Sequence, residues 1–107
     1  MSDDSYIYAI GAADVPPGKM RAVELAGHNV LICHAKDEFF AVENMCSHAM
    51  ATLEDGRLRA YRLVCPLHGG SFDVRDGSAK GQPATRSIRT YALRVVDDRI
   101  EVSIDSD

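Results

Sequence analysis

Tyr91-Ala92-Leu93-Arg94-Val95-Val96-Asp97-Asp98-Arg99-Ile100-Glu101-Val102-Ser103-Ile104 sets the period of the whole chain. Tyr91, Leu93 and Val95 alternate with Ala92 and Arg94. Beyond Asp97-Asp98, Ile100, Val102 and Ile104 alternate with Glu101, Ser103 and Asp105. Apolar side chains at every second position suit strands with one buried face, and two such runs around a short polar pair read as a β-hairpin. The same period recurs upstream in residues 6–10, 19–25, 30–34 and 39–42, with Ala26-Gly27-His28-Asn29 and Asp37-Glu38 as turns between them. Leu58 and Ala60 alternate with Arg57 and Arg59 and lead into residues 61–64, while Pro16-Pro17-Gly18 and residues 77–83 read as turns or loops. No stretch longer than a turn or two has helical spacing. Short, evenly spaced strands predict an all-β fold, a small antiparallel sandwich or barrel, with residues 1–107 as one domain.

The 107 residues are 46% hydrophobic and 26% charged, ordinary globular usage. A domain of this size has no room for a separate substrate domain, and the composition excludes collagenous or disordered chains. No apolar run approaches the roughly 18 residues that span a bilayer. The start, Met1-Ser2-Asp3-Asp4, is acidic and no apolar signal segment follows it, so a cytoplasmic location is expected. Three cysteines, an odd number, fit a reducing compartment better than a disulfide framework.

The net charge of −4 divides unevenly: −6 over residues 1–56, +5 over 57–89 and −3 over 90–107. A solvated surface accounts for most of it; the sharper alternative is a cationic segment that selects a protein partner. Seven cations without interleaved surface aromatics, in an acidic chain, make a poor nucleic-acid footprint.

Two stretches break the strand pattern, Met45-Cys46-Ser47-His48-Ala49-Met50 and Cys65-Pro66-Leu67-His68-Gly69-Gly70. Together they give Cys46-x-His48, sixteen residues, then Cys65-x-x-His68. Two thiolates and two imidazoles on paired loops can hold one soft or borderline metal centre. Structural zinc sites usually take two cysteines from one knuckle and two histidines from another. Mixed Cys/His pairs suit a two-iron cluster with thiolates on one iron and imidazoles on the other. Spacing alone leaves zinc open.

These boxes, with Ser71-Phe72-Asp73 after the second, Leu53-x-Asp55-Gly56 between them and Gly81-Gln82-Pro83-Ala84 downstream, resemble the cluster-binding segments of Rieske proteins. Length and motif are most similar to the free-standing Rieske ferredoxins of bacterial aromatic-ring-hydroxylating dioxygenases. The resemblance implies a Rieske-type β fold with two cluster-binding loops at one tip and one [2Fe-2S] cluster, Cys46 and Cys65 on one iron and His48 and His68 on the other. It implies a one-electron carrier, not an enzyme, between a flavoprotein ferredoxin reductase and a terminal Rieske oxygenase, with no small-molecule substrate. Docking at an exposed tip favours a monomer. Its rim would be Ala49, Met50, Leu67, Gly69, Pro83 and Ala84.

The Rieske proteins of cytochrome bc complexes carry an extra cysteine in each box and a membrane anchor. Here Ala51 and Leu67 stand at the cysteine positions, so no bridge forms, and no anchor is expected. Gly70 replaces the serine that in that branch donates to a cluster sulfur. Fewer donors stabilise the reduced cluster less, which predicts a potential at the low end of the roughly −150 to +300 mV Rieske range. The runner-up readings are the small Rieske subunit of an assimilatory nitrite reductase and a zinc-stabilised interaction module.

Among the other chemistry-bearing residues, Cys33 follows Val30-Leu31-Ile32 and reads as a buried free thiol. His28 and His34 read as surface residues, Phe72 as packing beneath the second loop and Met50 as part of an apolar docking patch. Arg57, Arg59 and Arg62 read as a solvated strand face, and Asp73 and Asp76 as loop-capping carboxylates.

Overall fold

The computed structural model describes residues 6–45, 52–66, 70–81 and 86–104. These residues form strands β1 (Tyr6–Gly11), β2 (Met20–Leu25), β3 (His28–Ala35), β4 (Glu38–Glu43), β5 (Arg57–Arg59), β6 (Arg62–Val64), β7 (Ser71–Asp73), β8 (Ala79–Gly81), β9 (Thr90–Val96) and β10 (Arg99–Ser103). The one helical piece among them is a 3₁₀ turn at Ala12–Asp14. The strands make a six-stranded sheet in the order β1-β10-β9-β4-β3-β2 and a four-stranded sheet in the order β5-β6-β7-β8. Every pairing is antiparallel. The outer strands of the large sheet, β1 and β2, come into contact, so this sheet curls into a nearly closed barrel.

Three hairpins of the large sheet turn on two residues with positive φ: Ala26-Gly27, Lys36-Asp37 and Asp97-Asp98. Left-handed conformation at both turn positions matches the right-handed twist of the flanking strands. Such tight turns correct the expected boundaries. His28 and Asn29 already belong to β3, with Leu25 paired to His28, and Glu38 belongs to β4, paired to Ala35. The alternation expected across residues 57–64 is broken at Ala60, whose φ of 52° makes it a turn residue between β5 and β6. The loop expected at 77–83 contains β8, which pairs with β7 because Ser71 and Phe72 offer it a free edge.

Strand β3 explains why Val30-Leu31-Ile32-Cys33 is apolar without a gap. Val30 and Ile32 face the barrel interior with Val15, Leu25, Tyr91, Ile100 and Val102. Leu31, Cys33 and Ala35 face the opposite way, into a second core with Val42, Leu53, Leu63, Phe72 and Ile88. A strand covered on both faces loses the polar half of its alternation. The C-terminal hairpin keeps its alternation only in β10; on β9 Tyr91 is buried, but Val95 is 46% exposed because β9 runs beyond its short pairing with β4.

Candidate metal centre

Each Cys/His box begins just after a strand. The first follows β4 and Asn44, and its residues Cys46 and His48, with Met50, lie outside the described residues. The second follows β6 directly. Cys65 is described and buried, whereas Leu67, His68 and Gly69 lie outside, as do the rim residues Ala49, Pro83 and Ala84. Of the four expected ligands the structure therefore places Cys65.

Asn44 ties the end of β4 to β3 and to the segment that follows the first box. Its amide Nδ2 donates to Glu54 Oε1 at 2.9 Å and to Asn29 Oδ1 at 3.2 Å, and its Oδ1 accepts the Leu53 N–H at 2.8 Å. Its own backbone N–H donates to the Asn29 carbonyl at 3.0 Å. Fully buried, Asn44, the residue before the first box, thus grips both β3 at Asn29 and the segment Leu53–Glu54 after the box. The Leu53 carbonyl in turn accepts the Gly56 N–H at 2.9 Å. A Cβ at Gly56 would land on the Val64 carbonyl, the residue immediately before Cys65, so only glycine lets these backbones approach. This clamp carries no Cys or His signal, and the periodicity reading passed over it. Its sequence trace is a lone Asn at the junction of an apolar strand and a ligand box.

The Cys65 N–H donates to the Gly70 carbonyl at 2.6 Å, which holds Cys65 beside the residue that precedes β7. Phe72, fully buried, shares the core with Cys65; the second loop it was expected to pack beneath lies partly outside the described residues. The two described cysteines differ in chemistry. Burial pushes the Cys33 thiol up to about 12, so it stays protonated and inert in the core. Cys65 belongs to the same core and directly follows β6 at the start of the second box. A thiol at the start of a Cys/His box, beside an inert spare, fits a cluster with thiolate ligands.

His28 and His34 are not free surface residues. His34 is partly buried in β3, with Nδ1 2.7 Å from the Val15 carbonyl and its ring 4.1 Å from that of Phe39. His28 is set edge-on to Tyr91 at 6.1 Å. Both serve the barrel, because β3 extends through positions expected to be turn and strand end. Asp73 and Asp76 do cap a loop. Asp73 holds Arg75 through a two-pronged carboxylate contact at 3.0 and 2.7 Å and takes the Arg75 N–H at 2.9 Å. The Arg75 hydrogen bonds hold its carboxyl at about 2, well below the usual carboxylate range. Asp76 accepts the backbone N–H and hydroxyl of Ser78, which lower its pKa.

Residues 5–92 match the model of the Rieske [2Fe-2S] domain. The chain belongs to the Rieske [2Fe-2S] domain family. This Rieske domain is 31% identical to the ferredoxin component of the naphthalene 1,2-dioxygenase system of Pseudomonas aeruginosa, over 94% of this chain and 97% of that protein. Its fold superposes on the ferredoxin of carbazole 1,9a-dioxygenase from Nocardioides aromaticivorans IC177 with a TM-score of 0.88, at 32% identity over 92% of this chain and 96% of that one. It also superposes, with a TM-score of 0.90 at 27% identity and 98% coverage of both chains, on a chain from a complex of reduced oxygenase and oxidised ferredoxin in carbazole 1,9a-dioxygenase. No helix among the described residues is long and apolar enough to cross a membrane.

Proposed function

We propose that this Rieske domain is the electron carrier of an aromatic-ring dioxygenase system, taking single electrons from a flavoprotein reductase and passing them to the terminal oxygenase. It works as a cytoplasmic monomer and makes or breaks no substrate bond. The observation that supports this most is end-to-end similarity to a ferredoxin component, 94% of this chain against 97% of that one.

In this reading Cys46 and Cys65 hold one iron and His48 and His68 the other. The bound [2Fe-2S] cluster supplies a reversible one-electron couple. The chain's own residues supply the setting. Asn44 and Gly56 hold the chain on either side of the first box to β3 and to the end of β6, Phe72 packs in the core with Cys65, and Cys33 stays out of the chemistry as a protonated thiol. Gly70, with no hydroxyl to offer, leaves the potential at the low end of the Rieske range.

The purified holoprotein should be red-brown, carry iron and acid-labile sulfide in equal amounts, and have a midpoint below zero. It should be reduced by the reductase and oxidised by the oxygenase. A midpoint well above zero, or a His68→Cys variant with unchanged potential and turnover, refutes the assignment.

A further inference from the structure

Glu54 is exposed, yet its carboxylate is held in one place. Its Oε1 accepts a hydrogen bond of 2.9 Å from Asn44 Nδ2, and Asn44 is fully buried and fixed in turn by Asn29 and by the Leu53 N–H. A surface glutamate ordinarily spreads over many rotamers. A buried amide with a single position confines this one. Asn44 is its one hydrogen-bond partner among the described residues. Lys19, Arg21, Arg57 and Arg59 line the same groove as Glu54, but among the described residues none forms an ion pair with it. Cys46 lies two residues after Asn44, at most about 7 Å along the chain. An Asn side chain and the 2.9 Å hydrogen bond then keep the carboxylate within about 14 Å of the Cys46 backbone. A charge of opposite sign stands beside the other box: exposed Arg57 is paired with Val64, the residue before Cys65.

We infer that Asn44 is a positioning residue and the Glu54 carboxylate the charge it positions, a fixed negative charge at the base of the first box that lowers the cluster's reduction potential. This rests on the carrier reading and deepens it, because Gly70 is then not the sole source of the low potential. Two ferric ions, two sulfides and two thiolates sum to zero, so one electron from the reductase's reduced flavin leaves the centre at −1, with no bond made or broken. A nearby anion resists that added charge and a nearby cation favours it. The path from Glu54 runs past buried Asn44 and Leu53, not through water alone, so salt screens it incompletely. At this distance, with an effective dielectric between those of a protein surface and of water, the carboxylate disfavours the reduced form about two- to threefold at low salt.

The test is a dye-mediated redox titration of the holoprotein, followed by visible absorbance at about 10 mM and about 1 M salt. Glu54→Gln keeps an oxygen for Asn44 and removes the charge. At a given applied potential its ratio of reduced to oxidised cluster should rise about two- to threefold at low salt, a positive shift of about 20–30 mV, and return to wild type near 1 M salt. Thermal melts of the apo and holo forms should match wild type, which separates a lost charge from a loosened fold. Arg57→Gln should move the ratio the other way. Asp37→Asn removes a negative charge in the β3–β4 turn, at the end of β4 away from the first box, and should titrate as wild type. Glu54→Asp keeps the charge on a side chain one carbon too short to reach Asn44, and its potential should lie between those of wild type and Glu54→Gln. A Glu54→Gln potential equal to that of wild type or of Asp37→Asn, or a shift that persists in 1 M salt, overturns the inference while leaving the carrier intact. Shifts of the same sign in Glu54→Gln and Arg57→Gln overturn it too, because a field effect reverses with the charge. A Glu54→Asp potential equal to wild type overturns the positioning role of Asn44. Wild-type protein that binds zinc and contains no acid-labile sulfide refutes the carrier reading, and this inference with it.

Discussion

Replacing Asn44 with Ala removes one side chain that serves three partners at once. The Leu53 N–H is left buried without an acceptor, and an unsatisfied buried donor costs about 1–3 kcal/mol. Glu54 and Asn29 also lose a donor, but Glu54 is exposed and turns to water, so that part of the loss is small. The sum is about 3 kcal/mol. For a chain of 107 residues, with an unfolding entropy of about 2.1 cal/mol/K per residue, this lowers Tm by about 13 °C. Asn44→Asp separates geometry from charge. It keeps the acceptor for Leu53 but sets a carboxylate against Glu54, so its own pKa is raised in the fold. A raised folded pKa means stability present at low pH and lost as pH rises, so Asn44→Asp should lie close to wild type near pH 4 and fall below it by pH 7. Thermal melts followed by circular dichroism across that range, with visible absorbance to time cluster loss, test both variants. Cluster loss should quicken in parallel with the fall in Tm. An Asn44→Ala variant melting within 3 °C of wild type with unchanged cluster lifetime would refute the clamp.

Gly77 has a φ of 78°, a Cβ there would land on the Ile88 carbonyl, and the Gly77 carbonyl accepts the Ile88 N–H at 2.9 Å. Gly77→Ala should cost at least about 2 kcal/mol, read as a lower urea midpoint with unchanged slope; a neutral result would show that this crossing is not rigid. Asp73 has a carboxyl pKa of about 2 in the fold against an ordinary 3.8, so it stabilises above pH 4 and the gain is lost as pH falls towards 2. Asp73→Asn should flatten the acid limb of a Tm-against-pH curve in that window, and an unchanged limb would place the acid sensitivity elsewhere. Cys33→Ala should keep full iron and sulfide content, whereas Cys65→Ala should lose the cluster; equal loss in both would contradict the division between core thiol and ligand.

Much of the fold was legible because one-sided strands write their burial into every second residue, as β10 does with Ile100 and Val102. Where a strand is covered twice, as β3 is, the pattern turns into a plain apolar run and its partners cannot be told from sequence. Turn boundaries slipped because Lys36 and Ala60 adopt positive φ without being Gly, Asn or Asp, so no turn signal marks them, and because the polar His28 and Asn29 after Ala26-Gly27 pair as strand. Strand β8 was hidden for a different reason: Ala79-Lys80-Gly81 has no β propensity of its own and is strand only because β7 offers an edge. The Cys/His boxes stood out because Cys and His are rare and their spacing is specific, though of the four expected ligands Cys65 alone lies among the described residues. The clamp did not, because a buried Asn acquires its meaning from partners 10 and 15 residues away.

The double coverage of β3 bears on how iron and sulfide enter and leave. Because Leu31 and Cys33 belong to one core and Val30 and Ile32 to the other, the small sheet cannot swing away as a separate lobe without stripping one side of the barrel's own wall. Exposing Leu31, Leu53, Leu63 and Phe72 alone would cost several kcal/mol, a large part of the stability of a domain this size. The β floor should therefore stay unbroken while a cluster is assembled or lost. Amide exchange should show β3 as the slowest segment in both apo and holo protein, with the difference between the two states concentrated in residues that flank the boxes.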